Sequence, residues 1–212
     1  MTSSIISGST GLIGRHVIEV LSSQNKSAIA LTRRSIHNLP PGISEMIIDF
    51  DDFENKGSLP SCKDVYICLG TTIKTAGSQE NFRRVDIDYC LSIAKKAKES
   101  GAQTLSLVSS IGANSSSKNF YLKTKGELEE SIQALGYSLV NIYRPSFLVG
   151  ERSDKRMAEK FAIKVAKIMD HLLIGSSSKY RSVKAESLAK TMVSKTESSS
   201  GVNYFYFDDF IK

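Results

Sequence analysis

The run Ile5-Ile6-Ser7 leads directly into Gly8-Ser9-Thr10-Gly11-Leu12-Ile13-Gly14, and an apolar, helix-periodic stretch follows. This is the pattern of a strand, a glycine turn and a helix start, and it commits the start of the chain to a βαβ unit. Each glycine has its own reason to lack a side chain. Gly8 turns the chain sharply off the strand, Gly11 allows backbone to approach a pyrophosphate, and Gly14 lets the helix pack closely on the sheet. The helix start, from Thr10 through Ile13, aims free N–H groups and a positive dipole end at whatever the turn holds. An anion site is the expected consequence, and Gly8, Ser9, Thr10, Gly11, Leu12, Ile13 and Gly14 are its candidate cofactor-binding residues.

The first helix carries Ile13, Val17, Val20 and Leu21 on one face and is expected to end between Ser22 and Asn25. Ser27 to Thr32 reads as a second strand, with Arg33-Arg34 directly after it. In a dinucleotide-binding unit an acid about 20 residues past the glycines binds the adenosine 2′-hydroxyl of NAD. No Asp or Glu occurs between Val20 and Ser44. Two guanidinium forks stand there instead, and they suit a 2′-phosphate, so NADP(H) is expected over NAD(H).

A third strand is expected over Glu45 to Phe50, where Asp49 would accept from an adenine amino group and Phe50 would pack on the ring. Asp64 to Leu69 reads as a fourth strand with little alternation, as in a parallel strand covered on both faces. It ends in Gly70-Thr71-Thr72, small residues that let a ligand pass close to backbone. Phe82, Val85, Tyr89, Ile93 and Ala97 recur at helical spacing up to a stop at Gly101. A fifth strand, Thr104 to Ser109, precedes a polar loop and a helix from about Asn119, and a sixth strand runs from Leu139 to Tyr143.

Tyr121 and Lys125 lie four residues apart on that helix and share a face. A phenol titrates near pH 10 unless a cation favours its phenolate, and Lys125 supplies one. Ser110, with Ser109 as the near alternative, would hold a substrate oxygen beside the phenol. Hydride transfer between a nicotinamide and a substrate carbon follows, with Tyr121 as general acid or base and Lys125 also bonding the nicotinamide ribose.

These residues resemble an atypical short-chain dehydrogenase/reductase. Cys68-Leu69-Gly70-Thr71-Thr72, Arg84-Val85-Asp86 with Asp88-Tyr89, Ser109 to Ala113, Tyr121 to Glu127 with Glu129, and Arg144-Pro145 are similar to its Tat-interacting-protein branch. The resemblance implies an NADPH-binding Rossmann fold, a doubly wound parallel α/β sheet with helices on both faces, as one domain over 1–212 with 150–212 forming a small C-terminal substrate lobe. It also implies that Leu69, Gly70 and Thr71, and Pro145, Ser146 and Phe147, border the cofactor. The branch includes proteins described as regulators, so a cofactor-binding protein acting through a protein partner is an alternative to the oxidoreductase. A sugar-nucleotide epimerase or dehydratase is a weaker one, since so short a lobe suits a small carbonyl compound better.

At 212 residues and 41 % hydrophobic content the chain can bury one full core. No segment reaches the roughly 18 apolar residues of a bilayer span, and no signal peptide is evident, so a cytoplasmic location is expected. Three cysteines without a C-x-x-C pair and three scattered histidines argue against a disulfide framework or a metal site. The charge of +6 is spread along the chain without an aromatic platform, which disfavours nucleic acid and suits a phosphate-bearing ligand. Met157 to Leu173 reads as an amphipathic helix with a basic face, Ala185 to Ser194 as a further helix, and Asn203 to Phe207 as a last strand. Oligomeric state, monomer or homodimer, is left open by the sequence.

Overall fold

The computed structural model describes residues 3–149, 175–197 and 199–211. The strands are β1 (Ser3–Ser7), β2 (Ala28–Thr32), β3 (Ile43–Ile47), β4 (Cys62–Ile67), β5 (Thr104–Val108), β6 (Leu139–Tyr143), β7 (Leu148–Val149), β8 (Val183–Lys184) and β9 (Gly201–Phe205). Seven of them form one sheet in the order β3-β2-β1-β4-β5-β6-β9, with every pairing parallel. This is a Rossmann-type sheet. The order reverses between β1 and β4, and at that switch point the carboxyl ends of the two strands open a crevice.

Both faces of the central strands are covered, and these strands are mostly buried along their length, whereas the edge strands β3 and β9 are partly exposed. Helices α2 (Phe50–Lys56), α5 (Cys90–Glu99) and α6 (Phe120–Gln133) share one core cluster with Ile5, Val65, Ile67, Leu105, Leu107 and Ile142. Helices α1 (Leu12–Ser23) and α7 (Ala185–Ser194) pack on each other and share the opposite cluster with Ile6, Ala30, Tyr66 and Tyr143. Neighbours in sequence such as Ile5 and Ile6 thus serve opposite layers. Each such burial contributes about 1.5–3 kcal/mol.

Several elements differ from the sequence reading. The third strand covers Ile43–Ile47 and stops before Phe50, because Asp49 caps α2: its Oδ1 accepts from the Asp51 and Asp52 N–H groups at 2.8 and 3.2 Å. The helical stretch from 79 is α3's neighbour α4 (Gln79–Arg83), following the short α3 (Ile73–Ala76), and it passes through a π-helical turn at Arg84–Tyr89 before α5. The wider turn rotates the inward face. Phe82, Asp86, Cys90, Ile93 and Ala97 point inward, while Val85 and Tyr89 are only half-buried.

The last strand is Gly201–Phe205 rather than Asn203 to Phe207, and Phe207 begins a short helix, α8 (Phe207–Phe210). The described parts of 150–212 do not stand apart as a lobe. β9 joins the main sheet beside β6, and α7 lies in the core with α1. The amphipathic helix expected over Met157 to Leu173 lies outside the described residues. On either side of that stretch, β7 and β8 pair in parallel, Leu148 with Val183 and Val149 with Lys184, and Val183 N–H donates to the Phe147 carbonyl at 2.7 Å.

Candidate active site

The glycine turn is close-packed for reasons that geometry makes explicit. Gly8 has φ +71°, and a Cβ there would stand 2.5 Å from the Cys68 carbonyl carbon. A Cβ on Gly14 would lie 2.2 Å from the Gly8 carbonyl oxygen, so α1 sits directly on the turn. Gly11 is the N-cap of α1, no side chain caps it, and the first turn holds no acid. Gly11 N–H donates to the Gly8 carbonyl at 2.9 Å, and Gly11, Leu12 and Ile13 bring the start of the helix to the cleft. Ser9 is buried, and its hydroxyl donates to the Leu31 carbonyl at 3.1 Å, tying the turn to the end of β2.

In front of the turn lies a cleft of about 410 Å³, lined by Thr10 to Ile13, by Leu69, Gly70 and Thr71 from the end of β4, and by Ser109, Tyr121 and Lys125. Asn119 starts α6 by accepting the Leu122 N–H at 3.1 Å, which sets Tyr121 and Lys125 one turn apart facing the cleft. Phe82 supports the phenol ring, with centroids 5.9 Å apart. Gly126 fixes the other side of α6, since a Cβ there would stand 2.2 Å from the Ser115 nitrogen.

Lys125 is buried, and its Nζ lies 2.7 Å from Asp86 Oδ1. Asp86 is fully buried, and its Oδ2 accepts the Thr71 N–H at 2.8 Å. Burial opposes the lysine's charge, but the attraction of Asp86, and after it of Tyr121, outweighs burial and holds its pKa above the ordinary lysine value. Lys125 is thus an ammonium at neutral pH. Behind the same wall Cys90 is pushed up to about 12, by burial above all, so its thiol is inert.

At the end of β5, Ser109 lines the cleft and donates its hydroxyl to Glu129 Oε1. Glu129 is also held by Arg144, whose Nε lies 3.0 Å from Oε1 and whose Nη1 donates to the Tyr206 hydroxyl at 3.1 Å. The hydrogen bond to Glu129, against the pull of burial, raises the Arg144 pKa. Ser110 stands outside the lining, and its hydroxyl makes only a 3.4 Å contact with the Ile111 carbonyl.

The adenosine-side expectations fare unevenly. Arg33 and Arg34 are exposed just past β2, where a 2′-phosphate would be read, though neither lines the cleft. Phe50 does not offer a face to an adenine: it is 7 % exposed and stacks on Tyr89 at 5.2 Å between centroids. Its position one residue past the Asp49 cap turns it into the α2 core. Asp49 spends Oδ1 on that cap. Pro145, Ser146 and Phe147 lie past β6, outside the lining. Ser146 donates to the Arg181 carbonyl, Phe147 is 73 % exposed, and the neighbouring Leu148 reaches the cleft instead.

Several residues that line the cleft were not assigned to the site by the sequence reading, Arg15, Thr75, Asp86 and Leu148 among them. Arg15, in the first turn of α1, lines the cleft, and its place four residues after Gly11 was the available signal. Asp86 was noticed only within a resembling run. Nothing local marks it, because the π-helical turn is what directs it inward.

No family model matches the chain. Among curated proteins, the mitochondrial protein FMP52 of Candida albicans is 40 % identical over 159 residues, covering 72 % of this chain and 69 % of its own length. Protein HTATIP2 of Rattus norvegicus is 32 % identical over 165 residues, covering 75 % and 68 %. The chain belongs to the FMP52/HTATIP2 family of atypical short-chain dehydrogenase/reductases. Solved structures agree on the fold alone. The UDP-glucose 4-epimerase of Thermotoga maritima superposes with TM-score 0.73 at 17 % identity, over 97 % of this chain and 77 % of its own. Human SDR39U1, solved with NADPH, superposes with TM-score 0.68 at 16 % identity, over 97 % and 74 %.

Membership in the FMP52/HTATIP2 family corrects the cytoplasmic expectation. Its fungal members carry "mitochondrial" in their names, including those of Scheffersomyces stipitis and Emericella nidulans, and they point to the mitochondrion. Among the described residues no helix is long and apolar enough to cross a membrane. That observation addresses the bilayer and not the organelle.

Proposed function

We propose that the protein is an NADP(H)-dependent oxidoreductase that moves a hydride to or from a small carbonyl or alcohol substrate. The observation that carries this reading is the buried, charged Lys125 beside Tyr121 in a cleft that also receives the uncapped start of α1. The residues fit a dinucleotide. The turn at Gly8 to Gly14 packs so closely on the end of β4 and on itself that α1 starts directly at the cleft where a pyrophosphate would approach, and Arg15 also lines it. A nicotinamide cofactor is also supported by neighbours solved with NAD or NADPH.

When bound, NADPH supplies the hydride. The Tyr121 phenol gives its proton to the substrate oxygen in reduction and takes it back in oxidation, and the Lys125 ammonium favours the phenolate that remains. Ser110 is the first choice to orient the substrate oxygen and would have to turn its weakly engaged hydroxyl into the cleft; Ser109, the alternative, lines the cleft but hydrogen-bonds its hydroxyl to Glu129. Arg33 and Arg34 close on the 2′-phosphate, and Leu69 to Thr71 let the cofactor pass close to the end of β4.

The test is a paired titration with NADPH and NADH at one ionic strength, followed by nicotinamide fluorescence. A preference for NADPH of about tenfold or more is expected from a charge-assisted phosphate contact. Equal affinities would remove the 2′-phosphate role of the arginines, and binding of neither would remove the cofactor.

A further inference from the structure

The two serines that end β5 differ in what they can offer a ligand. Ser109 lines the cleft although it is only 5 % exposed, and its hydroxyl donates to Glu129 Oε1. Glu129 follows Tyr121 and Lys125 at the same four-residue step along α6, but it is buried and does not itself line the cleft. Arg144 grips both of its oxygens, with Nε 3.0 Å from Oε1 and Nη2 on Oε2. The guanidinium is held in turn by β9 and the start of α8, donating to the Tyr206 hydroxyl at 3.1 Å and lying over the Tyr204 ring at 4.5 Å. A carboxylate in a guanidinium fork has no proton to give, so the bond between Ser109 and Glu129 runs in one direction.

A hydroxyl carries one proton and two lone pairs. Ser109 has given its proton to Glu129, and among the described residues no donor is hydrogen-bonded to its oxygen, so toward a ligand it can only accept. Ser110 beside it still has its proton to offer. We propose that the site is built for an α-hydroxy carbonyl compound, whose hydroxyl donates to Ser109 while the neighbouring carbonyl reacts, and that Glu129 and Arg144 are positioning residues that keep Ser109 an acceptor. This rests on the reading of Tyr121 as proton donor in an NADPH-dependent reduction. In that step the carbonyl carbon gains the hydride and the carbonyl oxygen gains the Tyr121 proton, leaving a vicinal diol and NADP⁺. The phenolate recovers its proton from solvent, and the hydroxyl held by Ser109 passes through unchanged. A simple ketone would set a carbon against the Ser109 oxygen and forgo that hydrogen bond.

The experiment compares ligands that differ at one donor. Hydroxyacetone and phenacyl alcohol are each set against the methyl ether, which keeps the oxygen and loses the proton, and against the unsubstituted ketone, acetone or acetophenone. The readouts are kcat/KM with NADPH, the affinity of each ketone for the protein with NADP⁺ by ligand-observed NMR, and NADPH affinity by fluorescence. In wild type at least one hydroxy-ketone is expected to lead both of its controls by about tenfold in kcat/KM and in affinity. In Ser109→Ala that lead is expected to shrink to within about twofold. Glu129→Gln brings an amide donor within reach of Ser109, frees the serine proton to turn to the ligand, and is expected to shrink the lead in the same way. Should the variants fail to fold, the wild-type comparison decides by itself.

Wild type that treats hydroxy-ketone, ether and simple ketone alike, or that neither binds nor reduces any of them, would overturn the proposal. A Ser109→Ala loss equal for hydroxy-ketone and controls would make Ser109 the donor to the reacting carbonyl, and a loss of NADPH affinity in place of the preference would make it a cofactor contact. Either would overturn the proposal and leave the oxidoreductase reading standing. Wild type that does not bind NADPH would overturn both.

Discussion

At one end of the crevice Lys125 and Asp86 are buried and paired at 2.7 Å, while at the other Arg33 and Arg34 stand exposed on the chain leaving β2. The first end is assembled before any ligand arrives. Its cation is held by a carboxylate, its phenol rests on Phe82, and its strand end is tied down through Thr71. Under the function proposed above, the second end gains its geometry from the cofactor's 2′-phosphate. Preorganised groups serve orientation and proton transfer, whereas exposed charges serve affinity and selectivity between cofactors and are open to screening by salt.

The largest expected effect lies at the assembled end. Tyr121→Phe removes the proton donor and leaves the ring's packing, so turnover with a carbonyl substrate should fall by about 10²- to 10⁴-fold while NADPH affinity stays within about twofold. Steady-state kinetics beside fluorescence titration checks this. A variant that turns over normally would break the assignment of chemistry to this end.

Next in size is the open end. Replacing Arg33 and Arg34 together by alanine should weaken NADPH about 10- to 100-fold and leave NADH nearly unchanged, since a charge-assisted hydrogen bond is worth about 1.5–3 kcal/mol. The NADPH advantage of the wild type should also shrink as salt rises from 0.05 to 0.5 M, about the range over which screening becomes strong. If salt left the advantage intact, the arginines would have to be counted with the assembled groups.

An effect of another kind, on stability rather than on binding or turnover, concerns the core cluster that holds Cys62 and Cys90. Burial raises Cys62 to about 11 and Cys90 to about 12, so both thiols are held neutral in the folded state. An unfolded thiol titrates near pH 8.5. A raised folded pKa gives stability that is complete below that value and is lost as pH climbs through about 11 to 12. Under reducing conditions the melting temperature should fall between pH 8 and pH 11, by about 2–4 °C for each kcal/mol lost. A flat profile would show that these thiols are not closed off in solution.

Much of this was legible in the chain because it is local. The glycine spacing fixes the turn at Gly8 to Gly14, unalternating apolar runs mark strands covered on both faces, and four-residue spacing puts Tyr121 and Lys125 together. What escaped depended on longer relations or on a change of helical pitch. An ideal 3.6-residue period drawn from Phe82 selects Val85 and Tyr89, and the π-helical turn selects Asp86 and Cys90 instead. Asp49 read as the end of a strand because a lone acid before an aromatic residue does not show that it will cap a helix. The membership of β9 in the main sheet rests on pairing with β6, about 60 residues earlier in the chain, as Tyr143 opposite Phe205 shows.

The two-residue ladder between β7 and β8 has a consequence for how such a site can change over time. Leu148 lies at the edge of the cleft, and its partner Val183 is buried in the core, so the two ends of the intervening stretch are fastened together beside the entrance. Doubling the length of a segment closed in this way costs only about 0.6 kcal/mol. Residues can be gained or lost there while the glycine turn, the phenol and the buried ion pair keep their places. The length of that stretch and the arrangement of the cleft are thereby free to evolve at different rates.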